Sequence, residues 1–186
     1  MLYAYASPVD RATGLIGDLG ISLYRGSNER IQRHVAHCWD VTRRIAHDAK
    51  VGMELRELYH TATAIISDQG LRNAIVSVTD ADGTNIGHTI PWTDRPMTDD
   101  EASAVASGNV TRIAHAVSQA RVFVNQSATT RISPGMAFTV EPRLSTGDLP
   151  AVGFHLIVGF DDDGRQEIVT EFAPLFERFD MELADV

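Results

Sequence analysis

The chain has 186 residues, 44% hydrophobic and 22% charged, which is enough for one globular domain with a substantial core. Its net charge of −9 argues against nucleic acid as a partner, because phosphate contacts need a basic surface. No apolar run reaches the length of a membrane span, and the N-terminal residues lack the pattern of a signal peptide. The single cysteine, Cys38, excludes an intrachain disulfide and favours a cytoplasmic protein.

The first quarter of the chain predicts two strands followed by a helix. Residues 1–24 contain two short apolar runs around a turn that begins at Pro8. The apolar residues of Glu29–Asp48 recur at helical spacing, and Ser27 or Asn28 supplies the cap.

A second helix and a strand are predicted next. Met53–Gln69 has one apolar face and ends before Gly70, a residue that commonly terminates helices. Asn73–Thr79 is a β-type run, and Asp80–Gly83 has the composition of a hairpin turn.

One further helix is predicted at about 99–122. Thr98 and Glu101 form a capping-box signature at its start, and Gly108 is expected to kink it. This helix either covers a neighbouring cleft or makes a dimer contact, and the sequence leaves both alternatives open.

The segment PGMAFTVEP is the most informative part of the sequence. Its residues 137–140 predict a short strand, which Glu141 closes and Pro142 prevents from pairing further. A buried carboxylate at such a position needs a partner, and a metal ion is one; a solvent-exposed edge position is the alternative.

The last part of the chain predicts a strand that contains His155 and ends at a turn, Asp161–Gly164. This turn lacks the spacing of a calcium loop. The aromatic tail, Phe172–Leu183, is expected to pack back on the body of the domain.

Carboxylate and imidazole residues recur at strand ends and tight turns. Side chains at such positions can converge on one cation. In chain order they are Asp18, Glu29, His88, Glu141 and His155.

These motifs resemble the pita-bread metallopeptidases, the superfamily of methionine aminopeptidases, Xaa-Pro aminopeptidases and creatinase. The PGMAFTVEP segment agrees best and places Glu141 at a metal-binding position. GHTIPW resembles the GHGIG turn and gives His88, whereas GDLG resembles the strand that carries the first ligand and gives Asp18. Glu29 lies eleven residues later, where the family has a second Asp, and His155 lies where the family has a bridging Glu.

The resemblance implies an α+β fold, a partial pita-bread domain over residues 1–186 in which a curved, mostly antiparallel sheet is covered by helices. The domain is expected to be truncated to the C-terminal half, with the helix at about 99–122 as an insertion. A two-fold partner would cover the open side of such a domain, so we expect a homodimer.

The resemblance also implies one divalent transition metal, Fe, Mn or Zn, held by Asp18, Glu29, His88, Glu141 and His155. Asn28 is an alternative to Glu29 as the second ligand. One metal is expected because the imidazole of His155 cannot bridge two cations as a carboxylate does. Trp92 and Arg95, which follow the His88 motif, are the expected substrate-binding residues.

The function that follows is a metal-dependent, hydrolase-like enzyme that acts on a small molecule or short peptide and is not a standard aminopeptidase. A mononuclear non-haem iron oxygenase or lyase acting on a small metabolite is one alternative, because two histidines and a carboxylate suit iron. A catalytically inactive protein that keeps the fold for binding is the other.

Two rival sites in the first helix are interpreted as structural. His34 and His37 lie three residues apart without a nearby third ligand, which is typical of a solvated helix face. Cys38 lies among core positions and is expected to be a buried, unreactive thiol.

Overall fold

The structure is a computed structural model that describes residues 1–10, 14–169 and 171–183. Its helices are α1 (Glu29–Asp48), α2 (Leu55–Asp68), α3 (Asp99–Ala106), α4 (Val110–Ala120) and α5 (Ala173–Arg178). Its strands are β1 (Leu2–Ala6), β2 (Leu19–Leu23), β3 (Arg72–Asn73), β4 (Ala137–Val140), β5 (Arg143–Ser145), β6 (Val152–Gly153), β7 (Leu156–Phe160) and β8 (Gln166–Val169). None of the helices described is long and apolar enough to cross a membrane.

The strands pair antiparallel in three small sheets, β1–β2, β3–β5–β6 and β4–β7–β8. An isolated bridge joins Ile21 of β2 to Phe154, and a second joins Thr89 to Phe138 of β4. Helix α1 packs on β4, β6 and β7. The predicted α+β class with a mostly antiparallel sheet covered by helices is therefore confirmed.

Helix α1 has the predicted bounds because its cap is specific. The side-chain oxygen of Asn28 accepts hydrogen bonds from the backbone N–H groups of Arg30 at 3.0 Å and Ile31 at 3.4 Å. Its apolar face carries Trp39, which is 1% exposed. The Trp39 ring lies 5.0 Å from that of Phe154.

The aromatic tail packs back on this core, as predicted. The ring of Phe176 in α5 lies 5.2 Å from that of Trp39 in an edge-to-face arrangement, and both Phe172 and Phe176 are buried. The tail therefore closes one side of the core beneath α1.

The predicted strand Asn73–Thr79 is wrong over most of its length, because only Asn73 pairs in β3. The side chain of Asn73 accepts a hydrogen bond from the backbone N–H of Ile75 at 3.2 Å and turns the chain out of the sheet. Val76 and Val78 are then 86% and 97% exposed, so the apolar alternation of this run does not correspond to a buried face.

The helix predicted at about 99–122 is two helices, α3 and α4. Gly108 follows the end of α3 and has a φ of 62°, a left-handed conformation that interrupts the helix. Asn109 then caps α4, because its side-chain oxygen accepts a hydrogen bond from the backbone N–H of Thr111 at 3.0 Å. The capping box of Thr98 and Glu101 at the start of α3 is present as predicted.

Candidate metal centre and its pocket

Four polar side chains meet where several short elements end. Asp18 directly precedes β2, Glu141 directly follows β4, and His155 lies between β6 and β7. His88 lies in an extended segment beside β4, where its N–H donates to the hydroxyl of Thr139 at 2.9 Å. We call Asp18, His88, Glu141 and His155 the metal-ligand cluster.

Two glycines of the sequence motifs permit this close approach. A Cβ atom on Gly20 would overlap the imidazole of His155. The backbone N–H of His155 donates to the Gly20 carbonyl at 2.7 Å. A Cβ atom on Gly87, which has a φ of 147°, would overlap the carbonyl of Thr139. Gly20 of GDLG and Gly87 of GHTIPW are therefore required by packing around the cluster.

The cluster is tight and largely buried. His155 Nδ1 lies 2.9 Å from Asp18 Oδ1 and 3.0 Å from Glu141 Oε2. His88 Nε2 lies 3.2 Å from Asp18 Oδ2 and 4.0 Å from Glu141 Oε1. Each imidazole thus faces an oxygen of both carboxylates, and Asp18 is only 3% exposed.

These contacts shift the protonation of the cluster. Burial alone would lower the pKa of His155, but its close contacts with the carboxylates of Asp18 and Glu141 outweigh burial and raise this pKa to about 9. The pKa of His88 is also raised, since its contacts with Asp18 and Glu141 outweigh its burial. Burial would raise the pKa of Asp18, but the two histidines hold it well below its usual range.

One buried oxygen of the cluster has no hydrogen-bond donor. His155 Nδ1 has one N–H at most, and its contact with Asp18 has hydrogen-bond geometry. Glu141 Oε2 lies as near to this nitrogen, yet it is buried without a hydrogen-bond partner among the residues described. A cation in contact with this oxygen would remove the cost of leaving it unpaired.

The donor set fits a divalent transition metal. Ligand atoms of Asp18, Glu141 and His155 all lie within 4.8 Å of one another. His88 adds a second imidazole on the opposite side of Asp18. Mixed carboxylate and imidazole donors suit Fe(II), Mn(II) and Zn(II), and the arrangement does not choose among them.

Two tyrosines of β1 lie behind His155. Tyr3 and Tyr5 alternate along the strand and so share one face. The Tyr3 hydroxyl lies 2.7 Å from His155 Nε2, and that of Tyr5 lies 3.4 Å from Asp18 Oδ2. Burial, followed by the charges of Glu141 and Asp18, raises the pKa of Tyr3 to about 12, so its hydroxyl stays protonated. Neither tyrosine was expected from the sequence, although their alternation beside a candidate ligand strand is a signal that could have indicated them.

The cluster forms one wall of a cavity of about 260 Å³, which we call the polar pocket. Ile75, Val76 and Phe123 line other parts of it, together with Arg121. Arg121 was also missed by sequence reasoning. Its spacing of two from Phe123 in an extended segment places the two side chains on one face, and the Arg121 guanidinium lies 5.2 Å from the Phe123 ring.

The structure does not bring Glu29 to the cluster, contrary to expectation. Glu29 is the first residue of α1, and the cap formed by Asn28 directs it to the surface. Its carboxylate pairs with Arg33 one turn later at 3.0 Å, and its side chain is 78% exposed. Because the Asn28 side chain caps the helix, it does not replace Glu29 as a ligand.

Trp92 and Arg95 also differ from expectation, since neither is among the residues that line the polar pocket. Arg95 forms two hydrogen bonds with Glu101, at 2.7 and 2.8 Å, and thereby braces the start of α3. Trp92 has a φ of 66° in the loop that leads to this helix. Both residues belong to the packing of the loop against α3.

The rings of His34 and His37 contact two different backbone groups. His34 is 5% exposed and its Nε2 lies 3.0 Å from the Pro150 carbonyl, so it is a core residue and not part of a solvated face. His37 Nε2 lies 3.3 Å from the Gln69 carbonyl. Each ring is thus satisfied by a different backbone group.

The fold and the cluster define a domain of the metallopeptidase type. Residues 10–164 match the model of metallopeptidase family M24, and the chain therefore belongs to this family. No curated protein sequence matches the chain.

Solved structures show the same fold at low sequence identity. The prolidase of Pyrococcus furiosus is 20% identical with a TM-score of 0.54, over 84% of this chain and 38% of that one. The dipeptidase PepE of Mycobacterium ulcerans is 14% identical with a TM-score of 0.57, over 91% and 37%. The X-Pro aminopeptidase of Thermotoga maritima is 16% identical with a TM-score of 0.51, over 84% and 36%. The chain thus spans little more than one third of these proteins, and its fold is a partial pita-bread fold.

Proposed function

We propose that the chain binds one divalent transition metal through the metal-ligand cluster and hydrolyses an amide bond in a small molecule or short peptide. The observation that carries the proposal is the convergence of Asp18, His88, Glu141 and His155, with Glu141 Oε2 buried and without a hydrogen-bond donor among the described residues. Membership of a metallopeptidase family supports hydrolysis as the reaction class.

A bound metal of this kind polarises a substrate carbonyl and lowers the pKa of a bound water. The four residues of the metal-ligand cluster would hold this metal, and the carboxylates of Asp18 and Glu141 would supply the negative charge that balances it. The Tyr3 hydroxyl faces His155 Nε2 and fixes the direction of that ring, as outer hydrogen-bond partners of metal-binding histidines do.

The substrate is proposed to be small because the polar pocket has a volume of only about 260 Å³. Dipeptides are reasonable first substrates, since a prolidase and a dipeptidase are among the structures that resemble this chain. A standard aminopeptidase activity is not proposed, because His155 stands where the family has a bridging Glu.

Iron chemistry is the second candidate function. Two imidazoles with two carboxylates also satisfy the ligand preference of non-haem Fe(II) sites that perform oxygenase or lyase reactions. The proposal of hydrolysis predicts turnover with Mn(II) or Zn(II) without oxygen, whereas an oxygenase needs both Fe(II) and oxygen.

The test begins with metal content. Protein reconstituted anaerobically with Mn(II), Fe(II) or Zn(II) is passed through a desalting column, assayed for bound metal, and incubated with a panel of dipeptides that includes Xaa-Pro sequences. Glu141→Gln is compared with the matched control Glu29→Gln, which removes a carboxylate from the surface. Bound metal and hydrolysis that Glu141→Gln abolishes and Glu29→Gln preserves would support the proposal.

Three outcomes would contradict parts of it. If the wild-type protein binds no metal, the metal centre is refuted and the alternative of an inactive binding protein is favoured. Bound metal without hydrolysis under any condition would favour the inactive or oxygenase alternatives. Equal activity of Glu141→Gln and Glu29→Gln would show that Glu141 is not part of the site.

The expected homodimer and the expected cytoplasmic location stay predictions. Light scattering at low micromolar concentration tests the first, since a monomer of this chain has a mass of 20.3 kDa. Fractionation of cells that express the native protein tests the second.

A further inference from the structure

Asp80 is a buried carboxylate that the proposed metal chemistry does not use. It begins the turn that precedes His88 in the chain and is 6% exposed. Its Oδ1 accepts hydrogen bonds from the backbone N–H of Asp82 at 3.0 Å and from the side-chain amide of Asn125 at 2.7 Å. Its Oδ2 accepts one from the side-chain amide of Asn85 at 3.0 Å. A buried carboxylate whose two oxygens are both paired fixes the positions of its donors.

The two asparagines lie at one end of a pair of extended segments, residues 85–89 and 122–125. The N–H of Ile86 donates to the Val124 carbonyl at 3.0 Å. Asn85 directly precedes Ile86 and Asn125 directly follows Val124, so the antiparallel pairing brings both asparagines to the same end. The carboxylate of Asp80 joins them there. We call Asp80 and these two asparagines the Asp80 clamp, and residues 85–89 the His88 segment.

Asn85 connects the clamp to the metal-ligand cluster. Its side-chain oxygen accepts a hydrogen bond at 3.3 Å from the N–H of Gly87, the residue before His88, while its amide nitrogen donates to the carboxylate of the clamp. The carbonyl of the next residue, Ile86, accepts a hydrogen bond from the backbone N–H of Glu141 at 2.7 Å. One short stretch of backbone therefore carries one ligand and contacts the backbone of another.

The position of the His88 segment determines where the imidazole of His88 lies. His88 Nδ1 lies 3.0 Å from the carbonyl oxygen of Thr89, within the same segment. This contact leaves Nε2 to face Asp18 at 3.2 Å and Glu141 at 4.0 Å. Because the ring is held by its own segment, a shift of the segment moves Nε2 relative to both carboxylates. Ligand distances in a formed metal site vary by only about 0.2 Å, so a small shift is enough to weaken the site.

We propose that Asp80 is a positioning residue of the metal centre. Through the two asparagines of the clamp it holds the His88 segment where the imidazole binds the same cation as the two carboxylates of the cluster. The inference rests on the proposed function insofar as it requires a bound metal, but the position of the segment is measurable in metal-free protein.

The first variant, Asp80→Asn, keeps the shape of the side chain and replaces one acceptor oxygen by an NH₂ group. This group meets the NH₂ group of Asn85 or Asn125, because the side-chain oxygens of both asparagines already accept from other groups. The exchange variant Asp80→Asn/Asn85→Asp restores a matched donor and acceptor with the same atoms and the same total charge. A residue that acts through this clamp is rescued by the exchange.

Two measurements on metal-loaded protein report the site. Calorimetric titration with Mn(II) gives the affinity, and the visible absorption spectrum of the Co(II)-loaded protein reports the coordination geometry. Asp80→Asn is expected to lose about tenfold in affinity, the lower end of the range for residues behind metal ligands, and to change the Co(II) spectrum. The exchange variant is expected to recover the wild-type spectrum and most of the affinity.

Hydrogen exchange of metal-free protein tests the clamp without the metal. The amide protons of Ile86, Thr89 and Val124 bond across the two segments. They are expected to exchange faster in Asp80→Asn than in the wild type and to return to the wild-type rate in the exchange variant, whereas the amide protons of β7 keep theirs.

Two control variants separate positioning from loss of stability. Asp82→Asn changes a carboxylate of the same turn that bonds Ser127 and neither the clamp asparagine Asn85 nor the His88 segment, so wild-type affinity and spectrum are expected. Val35→Ala removes buried methyl groups from α1, outside the clamp and the cluster, and is expected to lower the melting temperature without changing the Co(II) spectrum.

Wild-type affinity and spectrum in a folded Asp80→Asn protein would overturn the proposal, and so would a loss that the exchange variant does not recover or that Val35→Ala reproduces. If Asp80→Asn does not fold, Asn85→Ala and Asn125→Ala, which each remove one arm of the clamp, are judged by the same criteria. A wild-type protein that binds no metal would refute the proposed function. The exchange rates of the three amide protons then decide the inference, since unchanged rates in Asp80→Asn would show that Asp80 does not hold the His88 segment.

Discussion

His155 Nδ1 lies 3.0 Å from Glu141 Oε2, although the two residues lie at the ends of different strands and are not adjacent in sequence. The antiparallel pairing of β4 with β7 produces this contact, because Val140 lies opposite Leu156. Glu141 follows Val140 and His155 precedes Leu156, so both residues lie at the same end of this strand pair. The register of a single strand pair therefore determines the separation of two candidate ligands.

We predict that His88→Ala and Glu141→Ala each weaken metal binding by more than about 100-fold, beyond the loss typical of an outer hydrogen-bond partner. Each change removes a donor from the cluster and leaves the strand pairing intact, so the folded state is expected to persist. Metal titration gives the affinity, and circular dichroism checks the fold. Glu29→Gln is the control and is expected to bind metal like the wild type, because Glu29 is exposed and pairs with Arg33. Wild-type metal affinity in either alanine variant would show that the substituted residue is not a metal ligand.

Metal affinity is predicted to rise with pH up to about 9. In the metal-free protein the pKa of His155 is raised to about 9, so below this pH a metal must displace a proton from the ring. Above pH 9 the His155 ring is neutral, and protons no longer compete with the metal for it. Release of one proton from His155 gives about a tenfold gain in affinity per pH unit between pH 7 and 9, and the raised pKa of His88 makes the dependence steeper wherever His88 is also protonated.

Titration calorimetry in two buffers of different ionisation enthalpy measures the protons released. Near pH 7.5 at least one proton per metal is expected. An affinity that does not change between pH 7 and 9, with no proton released, would show that His155 is not a ligand.

Tyr3→Phe is predicted to weaken metal binding by about 10-fold, the lower end of the range for outer partners of metal-binding histidines. The hydroxyl lies 2.7 Å from His155 Nε2 and holds the ring in the orientation that presents Nδ1 to the two carboxylates. Tyr5→Phe is the matched control, since its hydroxyl makes a longer contact of 3.4 Å with Asp18, and a smaller loss is expected. Equal losses in the two variants would argue against a specific role of Tyr3 in positioning His155.

The sequence predicts the fold best where local chemistry and burial agree. The bounds of α1 follow from the Asn28 cap and a regular apolar face, and the strand before Glu141 follows from a turn at Gly135 and a proline at position 142. The run Asn73–Thr79 also has a β-type composition, but the Asn73 side chain accepts a hydrogen bond from the backbone N–H of Ile75. Composition alone does not distinguish these cases, because the competing hydrogen bond is a property of the folded chain.

The site was predictable to the extent that each residue lies in a distinctive local motif. Asp18, His88 and Glu141 each lie directly beside a glycine or a proline, and these three meet in the structure. His155, which lies between Phe154 and Leu156, and Glu29 were both inferred from order and spacing; the structure brings His155 to the cluster, whereas the helix that begins at Glu29 places that residue on the surface. Arg121 lies in no recognisable motif. Its side chain is notable only because its Nε has no hydrogen-bond partner among the described residues and because it lines a pocket that the folded chain creates.

The last prediction is that the chain binds one metal and that His155→Glu does not create a second site. The sequence argument rests on the imidazole of His155, which offers one lone pair to one cation, whereas a carboxylate can bridge two. The structure adds a second reason, because Glu29, the residue expected from the sequence as the additional ligand, is exposed and paired with Arg33. Elemental analysis after anaerobic reconstitution is expected to give one metal per chain for the wild type and for His155→Glu. Two tightly bound metals in the wild type would refute both reasons; two in His155→Glu alone would show that the imidazole is the sole obstacle and that another residue replaces Glu29 as a ligand.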